Sequence, residues 1–362
     1  MIRIRKTLPC SLCMALVVLS GCGHLGIGGG GNSSSHVVYA AIPTSGIGAF
    51  RMNNDSGEFT QIFGSPFAAG SSPASVVVHP SNKFLYAANQ SGNDISLFKI
   101  DDSTGAVTEV MPRTPAGVSP AVLLLDSAGS FLYAMNESSA TISAYSVSSS
   151  DGTLTEVGSA VATNQSPVAM ALSPSGNFLF VANANLAGVS VFAVTSGVLQ
   201  GVAGSPFPVG HGPLGLAVSP SGNFLYVANS FDNTLSVMSI ASTGVLTLVP
   251  GTPVTTGTNP VAVAFDPSGA YVYVANQGSS NISSFTVNSS TGVPTLFTTS
   301  GTVSTGSNPV FLILDSTQKF LLVSNQGAKT IGEMKIDSTS GVLTSSNTAS
   351  LSQPPVSLAV TK

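Results

Sequence analysis

The sequence predicts an all-β fold, a closed propeller of seven four-stranded antiparallel blades. Three observations predict it. A hairpin phrase recurs six times: an apolar run, a turn such as Pro267-Ser-Gly269, and a second apolar run closed by asparagine. The closing asparagines are Asn89, Asn136, Asn183, Asn229, Asn276 and Asn325, spaced 47, 47, 46, 47 and 49 residues apart. A fixed period of this size marks tandem supersecondary units. Finally, the first unit lacks one strand, and a lone strand-like segment at the C-terminal end supplies it.

Within each unit four strand signals follow in order. Strand A is apolar throughout, as in Val122-Leu-Leu-Leu125 and Val261 to Phe265. Strand B is nearly so, as in Phe84-Leu-Tyr86 and Phe224-Leu-Tyr226. Such runs belong to strands covered on both faces. Strand C alternates, as in Ile95-Ser-Leu-Phe-Lys-Ile100, so one of its faces is less buried. A glycine turn then leads to a short Thr-rich strand D. Apolar character falls from A to D, as it does when A lines a crowded axis and D forms the rim. The first unit has B (Val37–Ala41), C (Ile47–Met52) and D (Glu58–Ile62) but no A. The segment Pro355-Val-Ser-Leu-Ala-Val360 supplies it. That completes the seventh blade and leaves no free inner edge.

Composition limits the partners. Charged residues are 7% of the 362, against about 25% in an average globular protein. The surface is therefore built from Ser, Thr, Asn and Gly. Basic residues are not clustered, which argues against nucleic acid. Trp is absent, which removes the best stacking platform for sugars or bases. No metal site and no cofactor is expected.

At the N-terminus Arg3, Arg5 and Lys6 precede an apolar stretch from Leu8 to Ser20, too short to span a bilayer at about 20 residues. It ends in Leu19-Ser20-Gly21-Cys22, which resembles the bacterial lipobox. The resemblance implies a signal peptide over residues 1–21, a diacylated Cys22 as the new N-terminus, and extracytoplasmic anchoring to the cell envelope. Gly23 at the next position implies the outer membrane where the cell has one. Cys10 and Cys13 leave with the signal, and the mature chain keeps eight Lys and Arg against fifteen acids, a net of −7. Residues 22–35, the lipidated Cys and a Gly/Ser-rich run, read as a tether. As a flexible coil it spans roughly 20 Å. The propeller takes residues 36–362.

The Phe-Leu-Tyr-Val-Ala-Asn229 and Gly204-Ser-Pro-Phe207 phrases and the Pro-Ser-Gly turns are similar to the seven-bladed lactonase-type propellers. These include propeller-type 6-phosphogluconolactonase, carboxymuconate-cyclising enzymes and YVTN-type surface repeats. The resemblance implies lactone chemistry from His, Arg and Glu at fixed places. Here the two His slots hold Ser166 and Val168, the Arg slot Leu214, the next His slot Gly215 and the Glu slot Ser230. Opening a lactone needs an activated water and a stabilised oxyanion, and none of these residues supplies a base or a cation. Only Arg51 and Arg113 remain as Arg in the mature chain, with no cluster to clamp a phosphate. An exported chain also does not meet cytoplasmic 6-phosphogluconolactone.

Candidate site residues lie where strand A begins and strand B ends. The seven A strands begin with Ala74, Ala121, Val168, Leu214, Val261, Val310 and Val356, an apolar rim to a channel. It reads as tight packing or as a pocket for an apolar ligand. The closing asparagines read as Asx-turn formers in their own B–C loops. The residues after them, Gln90, Glu137, Ser230, Gln277 and Gln326, are candidate binding positions, with Ala184 at the sixth place. Glu137 is their one acid and the candidate general base. His211, in Gly210-His-Gly-Pro213, is its candidate partner. Asp126, Asp266 and Asp315 precede the A–B turns and read as turn caps. Two functions follow. One is a non-catalytic, lipid-anchored envelope module that offers its axial face to a protein, polymer or small ligand. The other is a lactone hydrolase or cyclase of the 6-phosphogluconolactonase-like type with an altered site.

Overall fold

The computed structural model describes residues 34–362, so Cys22 and the signal segment lie outside the described residues. Seven antiparallel sheets each follow the order A-B-C-D. There is no α-helix among the described residues, only a 3-10 turn at Ala184–Leu186. The blade assembled from both ends is present. Its strands B, C and D are Ser35–Ile42, Gly46–Asn53 and Phe59–Gln61. Strand A, Ser357–Val360, comes from the far end of the chain. It pairs in register Val38↔Val360, Tyr39↔Ala359, Ala40↔Leu358 and Ala41↔Ser357.

Ring closure is visible in the packing. There are seven apolar clusters, each joining two neighbouring blades. The cluster of Val38, Ala40, Phe50, Phe320, Leu322 and Leu358 seals the last blade to the first. Strand B is buried along its length in every blade, for instance Phe84–Asn89 and Phe224–Asn229, because both faces meet a neighbouring sheet. The outer strand is the least regular. In four blades it is split in two, as Leu154–Glu156 and Val161–Ala162.

A second repeated joint is polar. In four blades a strand-B tyrosine sends its hydroxyl to the glycine carbonyl of the next blade's C–D turn. Tyr39 donates to Gly105 (2.8 Å), Tyr86 to Gly152 (2.7 Å), Tyr273 to Gly341 (2.8 Å), and Tyr226 to Gly292. Burial drives the Tyr39 and Tyr86 phenols far above their ordinary range, so they remain donors. Each turn glycine has positive φ, +74° at Gly105 and +79° at Gly152. A β-carbon at Gly105 would also strike Val37 and Ile62.

The turn caps form as expected. Asp266 Oδ1 accepts the Tyr271 amide at 2.6 Å, Asp315 Oδ1 that of Phe320 at 2.8 Å, and Asp126 Oδ1 that of Phe131 at 3.0 Å. In two other blades Ser173 and Ser219 do the same.

Removing residues 354–362 bares the Val38–Ala41 edge and uncovers the closing cluster. The full-length chain so truncated is expected to melt about 10 °C or more below the intact one by circular dichroism, since 1 kcal/mol moves a large domain by roughly 2–4 °C. An unchanged melting temperature refutes closure by this strand.

Candidate functional site

The axial mouth is shaped by an irregularity in strand A. In six blades the register against strand B slips at the second residue, for instance Pro73↔Asn89 followed by Ser75↔Ala88. The extra residue is Ala74, Ala121, Val168, Leu214, Val261 or Val310. A bulge re-aims its extra side chain out of the pleat. Here it aims at the axis, and all six, with Val356, line a mouth cavity of about 240 Å³. That is below the roughly 300–1,000 Å³ of common ligand pockets. Of the six loop candidates Gln90, Glu137, His211, Ser230, Gln277 and Gln326, none lines it.

The residue before each strand-A proline is left-handed: Ser72 (φ 55°), Ser119 (57°), Ser166 (56°), Gly212 (63°), Asn259 (56°) and Asn308 (52°). Its carbonyl accepts the amide that follows the closing asparagine, as in Gln90 to Ser72 and Glu137 to Ser119, both 2.9 Å. This clamp fixes the backbone of Gln90, Glu137, Ser230, Gln277 and Gln326, and of Ala184, on the mouth face, but not that of His211.

The asparagines do something other than what the sequence suggested. They are buried and form no Asx turns. Asn89 Nδ2 donates to Asp94 (2.6 Å) and Ser96 (2.9 Å) on strand C. Asn229 donates to Thr234 (3.0 Å) and Ser236 (2.8 Å), and Asn276 to Asn281 (2.8 Å) and Ser283 (2.9 Å). The reason is register. Each asparagine is the last paired residue of B, opposite the first of C, so its side chain faces strand C and not its own loop. A loop glycine roofs it. The Gly117 amide donates to Asn136 Oδ1 at 3.1 Å, and a β-carbon at Gly70, Gly210 or Gly257 would run into the amide below.

The candidate polar groups form separate pairs. Gln90 Nε2 donates to Glu137 Oε2 at 3.0 Å across a blade boundary. Glu137 is exposed. His211 does not meet Glu137. Its ring Nδ1 lies 3.0 Å from Asp232 Oδ1, and its backbone amide donates to Asp232 Oδ2 at 2.7 Å. That amide bond, then the ring, hold the exposed Asp232 carboxyl below its usual range. Ser230 donates to Asn259 Oδ1, and Asn259 Nδ2 donates to Gln277 Oε1 at 2.9 Å, a second link across blades. Gln326 is tied through its backbone to Asn308 at 2.9 Å. Phe231, 76% exposed, stands over Gly212 beside His211; the sequence reading passed it over, although it directly follows candidate Ser230. Among the described residues no cluster of three metal-ligating side chains occurs.

The model of the family described as lactonase, 7-bladed beta-propeller, matches residues 32–120, 104–212 and 203–304. The chain belongs to this lactonase family. A search of curated proteins finds no match. Among solved structures, this lactonase-family propeller resembles a provisional 6-phosphogluconolactonase of Bacteroides uniformis, with TM-score 0.79, 20% identity, and 90% of this chain and 99% of that one covered. It also resembles the periplasmic gluconolactonase of Pseudomonas aeruginosa (TM-score 0.77, 19% identity, 91% and 99% covered). A protein from Lactobacillus plantarum is similar at TM-score 0.76 and 22% identity, with 91% and 100% covered. At such identity the likeness is one of fold.

The buried amide network adds side-chain bonds to the backbone ladder between strands B and C at the mouth. Asn136→Ala strips Thr141 and Ser143 of their donor. It is expected to cost about 1–3 kcal/mol, read by urea denaturation against the wild type.

Proposed function

We propose that this lactonase-family member is an exported, lipid-anchored envelope module that binds a neutral polymer, protein or small ligand on its mouth face. One observation carries the reading. The mouth is lined by bulge-borne Ala, Val and Leu, and around it stand amides, hydroxyls and the exposed Phe231. Glu137 is held by an amide and not by a base or cation. The clamp, repeated in six blades, presents these groups rigidly, which lowers the ordering cost of binding. An aromatic ring among amides suits a neutral, hydroxyl-rich ligand.

The Leu19-Ser20-Gly21-Cys22 sequence supports the anchoring half. Ser34 and Ser35 lead into strand B of the first blade, at the A–B turn end, where the Asn54 amide donates to Ser34 at 3.0 Å. The mouth is at the other end of that strand. Cys22→Ser is expected to move the chain from the detergent-extracted membrane fraction to the soluble one and to abolish labelling by radioactive palmitate. Retention of label refutes anchoring at Cys22.

The lactone hydrolase or cyclase reading has its own support, in the family and in Glu137, a carboxylate fixed on the mouth face by Gln90. A panel of sugar and aliphatic lactones on the full chain separates the two. The binding reading expects background turnover, equal in wild type and Glu137→Gln, and retention on a panel of neutral glycans that Phe231→Ser weakens. Turnover above background that Glu137→Gln abolishes overturns it.

A further inference from the structure

The tyrosine joint between blades is absent from three of the seven seams: those of Tyr133 and Phe180, and the one that closes the ring. In the last blade the third position of strand B is Leu322, which has no hydroxyl. The C–D turn it faces, in the first blade, keeps its glycine, Gly57, at φ +73°. Beside Leu322 in register, on strand C, stands Glu333. The same strand-C place holds Leu97, Ala144, Val191, Val237 and Ser284 in other blades.

Glu333 is fully buried. Its carboxyl fills the hollow under Gly57, where an added β-carbon would collide with both oxygens. Oε1 has no partner among the described residues. Oε2 has Asn347 Nδ2 at 3.4 Å, with the Ser346 hydroxyl also near the carboxyl, and that same nitrogen gives its better bond to the Ser56 carbonyl, at 2.7 Å. The charges on the surrounding elements do not neutralise it. Lys319 is spent on Asp55 (3.2 Å) and the Asn54 carbonyl (3.3 Å). Lys335, on Glu333's own strand, is exposed. Asp315, before strand B, repels a second negative charge. His36, on the first blade's strand B, holds Asn54 Oδ1 at 2.7 Å.

A carboxylate buried without a cation is costly, whereas a neutral carboxyl is a hydrogen-bond donor. In four other joints a hydroxyl donates to the turn glycine's carbonyl. We infer that Glu333 is a protonated donor to the Asn53–Glu58 turn, replacing the missing tyrosine, and that the ring's closing seam loosens when this proton is lost to solvent.

The sign follows from linkage. Burial first, and Asp315 in addition, raise the Glu333 carboxyl above its ordinary value of 4.5. A group raised on folding contributes stability that is complete below its unfolded value and is lost as pH rises through its folded value. Melting of the full chain is therefore expected to fall by about 2 °C per pH unit from pH 5 upward, until Glu333 has ionised. Glu333→Gln keeps a donor of the same shape and is expected to remove that part of the slope, so that the variant overtakes wild type as pH rises. The pair Leu322→Tyr with Glu333→Val rebuilds the joint of the other blades and is expected to be equally flat. Infrared difference spectra at pH 5, above the ordinary glutamate value, are expected to carry a protonated carboxyl stretch that Glu333→Gln lacks. Parallel pH profiles for wild type and Glu333→Gln, or the absence of that band, overturn the inference.

Discussion

Everything in the ring depends on four residue pairs between Val38–Ala41 and Ser357–Val360. A propeller blade buries strand B on both faces, so each sheet needs a neighbour on either side. An open array would leave Val38, Ala40 and Phe50 facing water at one end and Phe320 and Leu322 at the other. Burial of a single such side chain is worth about 1.5–3 kcal/mol. Closure recovers that for a whole cluster, and the strand that achieves it is only four residues long. Backbone bonds beyond the strand support it. The Val356 amide donates to Ala41 at 3.0 Å and the Thr361 amide to Val37 at 2.9 Å, so the seam is stitched at both ends.

The same constraint shapes the mouth. Seven A strands converging on one axis leave no room for seven paired, pleated residues at the entrance. The bulge after each strand-A proline resolves this by turning one small or medium apolar side chain into the channel. The left-handed residue before the proline then points its carbonyl at the B–C loop. Scaffold chemistry thereby uses up the asparagines and the loop backbones. What the scaffold leaves at the surface is Gln90, Glu137, Gln277 and Gln326, together with Phe231 and His211, whereas Ser230 is buried against Asn259. These are the positions where blades differ from one another, and therefore where a ligand would be read.

Much of the fold was legible in the sequence because it is periodic. The 47-residue repeat, the apolar gradient across a blade and the split first blade each needed only counting. The apolar rim was also legible, since strand A begins at a marked proline. The asparagine network was not, because an Asx turn and a strand-to-strand amide bridge have the same local sequence and differ only in register. The Gln90–Glu137 and Ser230–Asn259 links were hidden because they cross blade boundaries, 47 and 29 residues apart. Their signal, polar residues at equal phases of successive repeats, was present but names no partner. Glu333 could have been found by aligning repeats, as the one acid at a place otherwise held by small or apolar residues. Its significance depends on Gly57, which is far away in the chain and adjacent only after closure.

Amide hydrogen exchange across the seam tests closure most directly. Core strands exchange through global opening, whereas free termini fray at almost no cost. The account predicts that amides of Val38–Ala41 and Leu358–Ala359 exchange as slowly as those of an interior strand such as Phe224–Asn229. Exchange of the terminal pair at the rate of an unprotected chain end, with the interior strands still protected, would contradict it.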